Sequence, residues 1–298
     1  MSDILVYSAD ISGDRLDKYL TGQMPQLSRT HMQKLIREGN IRVNDAAAKP
    51  SYILDEGDRI TVKIPPPPSS PLEPLAMDLH ILYEDDDVLV VDKPPGLPVH
   101  PALGQGGKTL INAVIAHYPK IGELSESLRP GIVHRLDKDT SGAMVIAKNS
   151  GAYLDLVRQF KERRVHKIYL ALVKGKVVPE KGIVEANIGR DPRNRQRMAV
   201  VSGGRSAVSE FQVKQYLEGY TLLEIKLHTG RTHQIRVHFS AIGHPLVGDS
   251  SYGVRSMHLS RQFLHAYRLG FYLPSSSEYR EFVSELPADL TTALAEFA

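Results

Sequence analysis

The sequence predicts an α+β protein built in two parts, a small α/β module followed by a larger domain around a mixed, mostly antiparallel sheet. Three observations lead there. The stretch "IPPPPSSPLEPL" (Ile64–Leu75) carries five prolines from Pro65 to Pro71, and such a run forms neither a helix nor a central strand but stays extended and fairly stiff. Strand-like runs dominate the chain after it. Those runs do not alternate regularly with helical segments, as a doubly wound parallel sheet requires. The expected boundaries are a module over residues 1–64, a linker over 65–77 and the larger domain over 78–298.

In the module, "DRLDKYLTGQ" sets Leu16, Tyr19 and Leu20 on one helical face. "SRTHMQKLIREG" follows, with Ser28 as the N-cap, Met32, Leu35 and Ile36 as a buried stripe and Gly39 as the stop. "IRVND" reads as a short strand and turn, and "DRITVKI" alternates Ile60, Val62 and Ile64 at the period of a half-buried strand. The order is helix, helix, strand, strand. Arg29, Lys34, Arg37 and Arg42 crowd the second helix and its exit against Glu38, while Asp55, Glu56 and Asp58 collect elsewhere. Charge clusters usually mark a solvated face; the sharper reading is a helix that contacts phosphates. After the linker, "DVLVVDK", "GAMVIAKN", "KIYLALVKG" and "TLLEIKLHTG" read as strands, and "TLINAVIAHYP" and "AYLDLVRQFKERR" as helices.

Composition narrows the function. A chain of 298 residues with 42% hydrophobic and 24% charged residues has room for a real core. Zero cysteine removes disulfides, thiolate catalysis and cysteine-ligated zinc together. The N-terminus lacks the basic start and apolar run of a signal peptide, and no stretch approaches ~18 consecutive apolar residues, so neither export nor a membrane span is expected. A formal net charge of +3 is compatible with nucleic acid but weak alone.

Three rival motifs fail on their chemistry. "GGKT" (Gly106–Thr109) ends like a phosphate loop, but the glycine required five residues before Gly107 is replaced by Ala102. His228, His233 and His238 lie five apart without the helical pair or glutamate of a zinc protease; read as a strand, His228 and His238 share a face and His233 does not. No G-x-S-x-G supports a serine triad.

"RPGIVHRLDKDTSGAMVIAKN" (Arg129 onward) is more informative. "GIVHRLD" reads as a strand leading to Asp137, "TSG" as a turn and "AMVIAK" as the next strand, so Asp137 stands on a loop between sheet elements. "HRLDKDTSG" resembles the signature of the RluA/RluD family of pseudouridine synthases. Further segments agree in family order: "VLVVDKPPGLPVHP" (Val88–Pro101), "HKIYLALVKG" (His166–Gly175), "TGRTHQIRVHFSAIGHPLVGDSSYG" (Thr229–Gly253) and "RQFLHAYRLGF" (Arg261–Phe271). Residues 13–64, with "SR…LI..G.I.VN" and "GD.I.V", resemble the S-four-type (alpha-L) RNA-binding module. The architecture points most towards the RluD-like branch.

The resemblance implies isomerisation of uridine in large-subunit ribosomal RNA, free or in a pre-ribosomal subunit, by a cytoplasmic, monomeric enzyme without cofactor or metal. It assigns the catalytic carboxylate to Asp137, acting on the sugar or assisting glycal formation. Arg236 is implied as the cation that keeps a buried carboxylate ionised. Tyr169 is implied to stack on the flipped base or to help move a proton; on pattern alone it is a core residue. Arg135 is implied to fill the space the base vacates. RNA contacts are further expected from His134, which otherwise only orders the loop together with Lys93, from Arg29, Lys34 and Arg37, from Arg163 and Arg164 in "RQFKERRVHK", and from Arg193 in "GRDPRNRQR". Two alternatives stand beside this reading: an RNA-binding assembly factor on an inactive scaffold, and a glycoside-cleaving enzyme, which needs a second carboxylate such as Asp139.

Overall fold

A computed structural model describes residues 3–24, 27, 29–64, 72–101, 108–124, 129–254, 256–257 and 259–297. The expected N-cap Ser28, the prolines of 65–71, and Gly106 and Gly107 of "GGKT" lie outside the described residues. The chain divides into two compact units, the first made mainly of residues 1–70.

The first unit contains β1 (Asp3–Ser8), α1 (Leu16–Gln23), α2 (Arg29–Arg37), β2 (Ile41–Val43), β3 (Ala46–Ala47) and β4 (Arg59–Ile64). The strands form one antiparallel sheet in the order β1-β4-β2-β3. Leu16 and Leu20 of α1 and Met32, Leu35 and Ile36 of α2 are buried against Ile60 and Val62. The helical stripes therefore close onto the alternating face of β4, as their spacing predicts. Gly39 takes a φ of 76° after α2. Its N–H donates to Ile36 O (3.1 Å) and the Asn40 N–H to Leu35 O (3.0 Å), the paired bonds that end a helix on a left-handed residue. The order differs from helix, helix, strand, strand in two respects: β1 precedes both helices, and the two-residue β3 pairs with β2 before β4. Ile4 and Val6 of β1 are largely exposed, so β1 lacks the buried alternation that marks a strand in sequence.

The second unit is built on nine strands: β5 (His80–Glu84), β6 (Val88–Lys93), β7 (Ser141–Ala147), β8 (His166–Lys174), β9 (Lys181–Glu185), then β12 (Val208–Leu217), β13 (Tyr220–Leu227), β14 (Leu264–Tyr272) and β15 (Tyr279–Val283). A separate hairpin pairs β10 (Ile188–Arg190) with β11 (Met198–Val200). Helices are α3 (Leu110–His117), α4 (Ser150–Lys161), α5 (Gln234–Ala241) and α6 (Ala288–Glu296). The sheet order is β5-β6-β7-β14-β8-β13-β12-β9, with β15 on β14. Only β7 and β14 run parallel, so the sheet is mixed and mostly antiparallel. Every residue of β7 is buried. A strand covered on both faces reads as a continuous apolar run, as "GAMVIA" does.

One local expectation changes, and the strand considered for the histidine stretch does not form over its second half. No strand forms over "GIVHRLD"; only an isolated bridge joins Ile132 to Ile146, and the chain turns at Lys138 and Asp139 rather than at "TSG". "QIRVHFSA" is α5, not a strand. Ile235, Val237 and Phe239 alternate like a strand, but Gln234, Arg236 and His238 are buried with them. Burial on all sides removes the periodic signal that separates helix from strand.

Candidate active site

The turn carrying Asp137 is held from several sides. Lys93, at the end of β6, is fully buried and donates its three N–H groups to Pro94 O (2.7 Å), Leu97 O (3.0 Å) and Lys138 O (3.0 Å). Burial pushes its ammonium down to about 7, against the field of Asp139. The Arg261 guanidinium donates to Asp139 O (3.0 Å), and the Gln262 amide to Thr140 Oγ1 (3.2 Å). The Thr140 N–H closes the turn on Asp137 O (3.1 Å). Leu136 is buried beneath it. Asp137 itself is half-buried and lines a cleft of about 540 Å³.

Arg236, on α5, reaches Asp137 Oδ2 with Nη1 (3.1 Å) and grips Asp249 with Nε to Oδ2 (2.6 Å) and Nη2 to Oδ1 (2.8 Å). The guanidinium is thus aimed by a bidentate pair on one side and offered to Asp137 on the other. Asp249 is fully buried. Burial alone raises its carboxyl, but the hydrogen bonds and charge of Arg236 outweigh it and hold it below the ordinary value. The Arg236 guanidinium is itself raised by the two carboxylates against the opposing effect of burial, so it stays charged.

Tyr169, on β8, also lines the cleft. Burial first, and the charge of Asp137 second, push its phenol well above the ordinary value. The hydroxyl therefore stays protonated at neutral pH. Among the described residues lining the cleft, Asp137 is the one acidic side chain, whereas Arg135, Lys161, Arg163, Lys167, Arg231 and Arg236 are basic. Burial lowers the Lys167 ammonium to about 8. The surface accepts an anionic polymer and offers it one carboxylate. Asp139 does not line the cleft, which removes the second carboxylate that glycoside hydrolysis ordinarily needs.

The other expected residues separate. Arg135 and Arg163 line the same cleft and are exposed. His134 lines it too, but its Nε2 accepts the Val145 N–H (3.1 Å) and its ring stacks on Phe160 at 4.8 Å. Its nitrogen is engaged in the fold, and burial lowers it to about 3, so of its two expected roles the geometry favours ordering the loop over contacting RNA. The Arg164 guanidinium lies over the Tyr272 ring at 4.4 Å, and Arg193 stands exposed between β10 and β11; neither lines the cleft. In the first unit, Arg29 pairs with the buried Asp17 (3.0 Å), Arg37 donates to Gln33 (3.5 Å) and Lys34 stands 3.8 Å from Glu38.

The rival histidines have separate partners. His228 meets Glu210 (2.8 Å), His233 meets Tyr252 (2.9 Å) and His238 meets Ser209 (3.0 Å). Among the described residues no group of three His, Cys, Asp or Glu side chains could hold a metal ion. Thr109 is the N-cap of α3, its N–H donating to Asn112 Oδ1 (3.2 Å). Asp249 and Tyr252 escaped the sequence reading, whereas Lys167 ends the basic stretch "RQFKERRVHK". Asp249 and Tyr252 sat in the quoted "VGDSSYG", but an aspartate and a tyrosine in a turn-rich stretch carry no periodic signal.

A mixed sheet holding one carboxylate in a basic cleft suits an enzyme with an anionic substrate. The family model described as RNA pseudouridylate synthase matches residues 87–241, and that of the S4 domain matches residues 14–60. An uncharacterized RNA pseudouridine synthase of Aquifex aeolicus is 43% identical, covering 96% of this chain and 95% of the relative. Ribosomal large subunit pseudouridine synthase D of Neisseria meningitidis serogroup B is 44% identical, covering 96% of this chain and 79% of the relative. The solved structure of human RNA pseudouridylate synthase domain containing 1 matches with a TM-score of 0.58 and 32% identity, over 70% of this chain and 84% of that one. The chain belongs to the RNA pseudouridine synthase family, an isomerase class, and carries an N-terminal S4 domain.

Proposed function

We propose that this enzyme isomerises specific uridines of large-subunit ribosomal RNA, as the name of the Neisseria relative suggests, with Asp137 as its one catalytic carboxylate and without a cofactor. The observation that carries the reading is the single carboxylate of the cleft, tied to Arg236 at 3.1 Å and ringed by basic side chains. The isomerisation breaks the C1′–N1 bond, turns the uracil and joins C5 to C1′, after which the C5 proton leaves. It transfers no electrons and no phosphoryl group. Asp137 either attacks C1′ or assists glycal formation. Arg236 pairs with it at 3.1 Å in its half-buried position. Tyr169 presents a neutral phenol whose ring stacks on the extruded base, and Arg135 occupies the gap the base leaves.

The division of labour follows the chain: an RNA-binding module over residues 1–64, a linker over 65–77 and the synthase domain over 78–298. The enzyme is taken to act as a monomer. An rRNA substrate, free or in an assembling subunit, places the enzyme in the cytoplasm. Among the described residues no helix is long and apolar enough to cross a membrane. The test is tritium release from C5-tritiated transcripts of large-subunit rRNA, small-subunit rRNA and tRNA. Release from the first alone is expected. Equal release from all three contradicts the substrate assignment, and release from none, with pre-subunit particles also tested, favours an assembly factor.

A further inference from the structure

Among the rings of the cleft, that of His233 lies beside Asp137. His233 caps α5 in the left-handed region, with φ 56° and ψ 22°. Few side chains adopt that conformation, though histidine is among those that tolerate it. It turns the imidazole into the cleft beside Asp137. Its Nδ1 lies 2.9 Å from the Tyr252 hydroxyl. That oxygen also accepts the Met198 N–H (2.7 Å), which suits the tautomer in which the hydroxyl proton is donated to Nδ1. The ring proton then sits on Nε2, 3.8 Å from Asp137 Oδ2. This is too long for a hydrogen bond and suits two groups that face one substrate. Tyr252 is fixed in turn. Its N–H donates to Asp249 Oδ1 (3.0 Å), and the guanidinium groups of Arg197 and Arg236 lie over its ring at 4.8 and 5.0 Å.

We propose that His233 is a further catalytic residue that donates a hydrogen bond from Nε2 to the uracil as it leaves the sugar, with Tyr252 as the positioning residue that sets the tautomer. The proposal rests on the reading of Asp137 given above. When C1′–N1 breaks, its electron pair goes to the uracil, and negative charge spreads over N1 and the carbonyl oxygens. A donor fixed in advance stabilises that charge without transferring its proton. The surroundings keep the ring neutral. Burial lowers its affinity for a second proton, and Arg236 and Arg135 act in the same direction, while Asp137 and Asp249 oppose them. The positive end of α5 also disfavours an imidazolium.

The test uses the full chain in single-turnover assays on rRNA transcripts carrying uridine or 5-fluorouridine, read as consumption of the substrate nucleoside after digestion, because a fluorine-bearing C5 has no proton to release once it joins C1′. His233→Gly removes the ring and relaxes the left-handed backbone; His233→Gln retains an N–H donor; Tyr252→Phe removes only the hydroxyl. Loss of a fixed donor lowers rate by about 100-fold. On uridine, His233→Gly is expected to show that loss with KM within about twofold, His233→Gln to recover part of it, and Tyr252→Phe to lose about tenfold. Fluorine makes the base a better leaving group, so the His233→Gly defect should shrink several-fold on 5-fluorouridine. Equal defects on both substrates, a rise in KM alone, or an unchanged rate in His233→Gly overturns the proposal while the Asp137 reading stands. An intact enzyme that turns over neither RNA overturns both. Thermal melting checks that the variants fold; if His233→Gly does not, Tyr252→Phe and His233→Gln decide, an unchanged rate in Tyr252→Phe with no substrate-dependent defect in His233→Gln counting against it.

Discussion

At the scale of the residue, the site is a chain of charge: buried Asp249, Arg236, then half-buried Asp137. Removing one member of a buried pair leaves its partner's charge uncompensated, which costs about 3–5 kcal/mol. Asp249→Asn is therefore expected to lower stability by roughly 3 kcal/mol in urea unfolding and to cut kcat at least ~10-fold, because Arg236 loses its bidentate guide. An unchanged unfolding midpoint contradicts the chain. Tyr169 separates two roles. Its phenol is held neutral, so Tyr169→Phe should keep KM within about twofold through retained stacking, whereas Tyr169→Leu should raise KM several-fold. Steady-state kinetics on one transcript compare them. Asp137, Arg236 and Tyr169 could be nominated from the sequence because they sit in quoted motifs. Asp249 could not, since its role exists only once α5 folds beside the loop that carries it.

At the scale of the element, the catalytic turn depends on the strand that follows it. Gly142, the second residue of β7, has a φ of 120°, and a Cβ there would run into the backbone of Ala266 on parallel β14. Gly142→Ala should lower the thermal midpoint by several degrees, equivalent to about 2 kcal/mol or more, with activity falling alongside. His134 gives a pH dependence. Its folded value of about 3 lies below the ordinary 6.5, so its contribution is present above pH 6.5 and is lost as pH falls towards 3. Going from pH 7 to 5 should remove about 2 kcal/mol through this group. His134→Gln should flatten that part of the urea midpoint's pH profile; an identical slope in the variant contradicts the assignment. Element type was legible where one face is buried, as in α1, α2 and β4. It was not legible in α5, whose six buried residues erase periodicity, nor in exposed β1.

At the scale of the whole molecule, both units present basic side chains, Lys34 and Arg37 in one and Arg135 and Arg163 in the other. Contacts to phosphate strengthen binding without entering the chemistry. Changing Lys34 and Arg37 to Glu should raise KM about tenfold, leave kcat unchanged and reduce the salt slope of RNA binding by about one per lost contact. Filter binding across a salt series reads this; an unchanged slope removes the helix from the interface. The fold class was legible at this scale because a proline-rich break and irregularly spaced strands are features of the whole chain. The pairing of β7 with β14 was not, because it joins segments more than a hundred residues apart.

The central claim is that Asp137 carries the chemistry. The most direct measurement is tritium release from C5-tritiated large-subunit rRNA by the intact enzyme and by Asp137→Asn under single-turnover conditions, with RNA binding of both confirmed. The account predicts complete release by the intact enzyme and none by the variant at matched affinity. Release by Asp137→Asn within about tenfold of the intact rate would contradict it and move the chemistry to another residue.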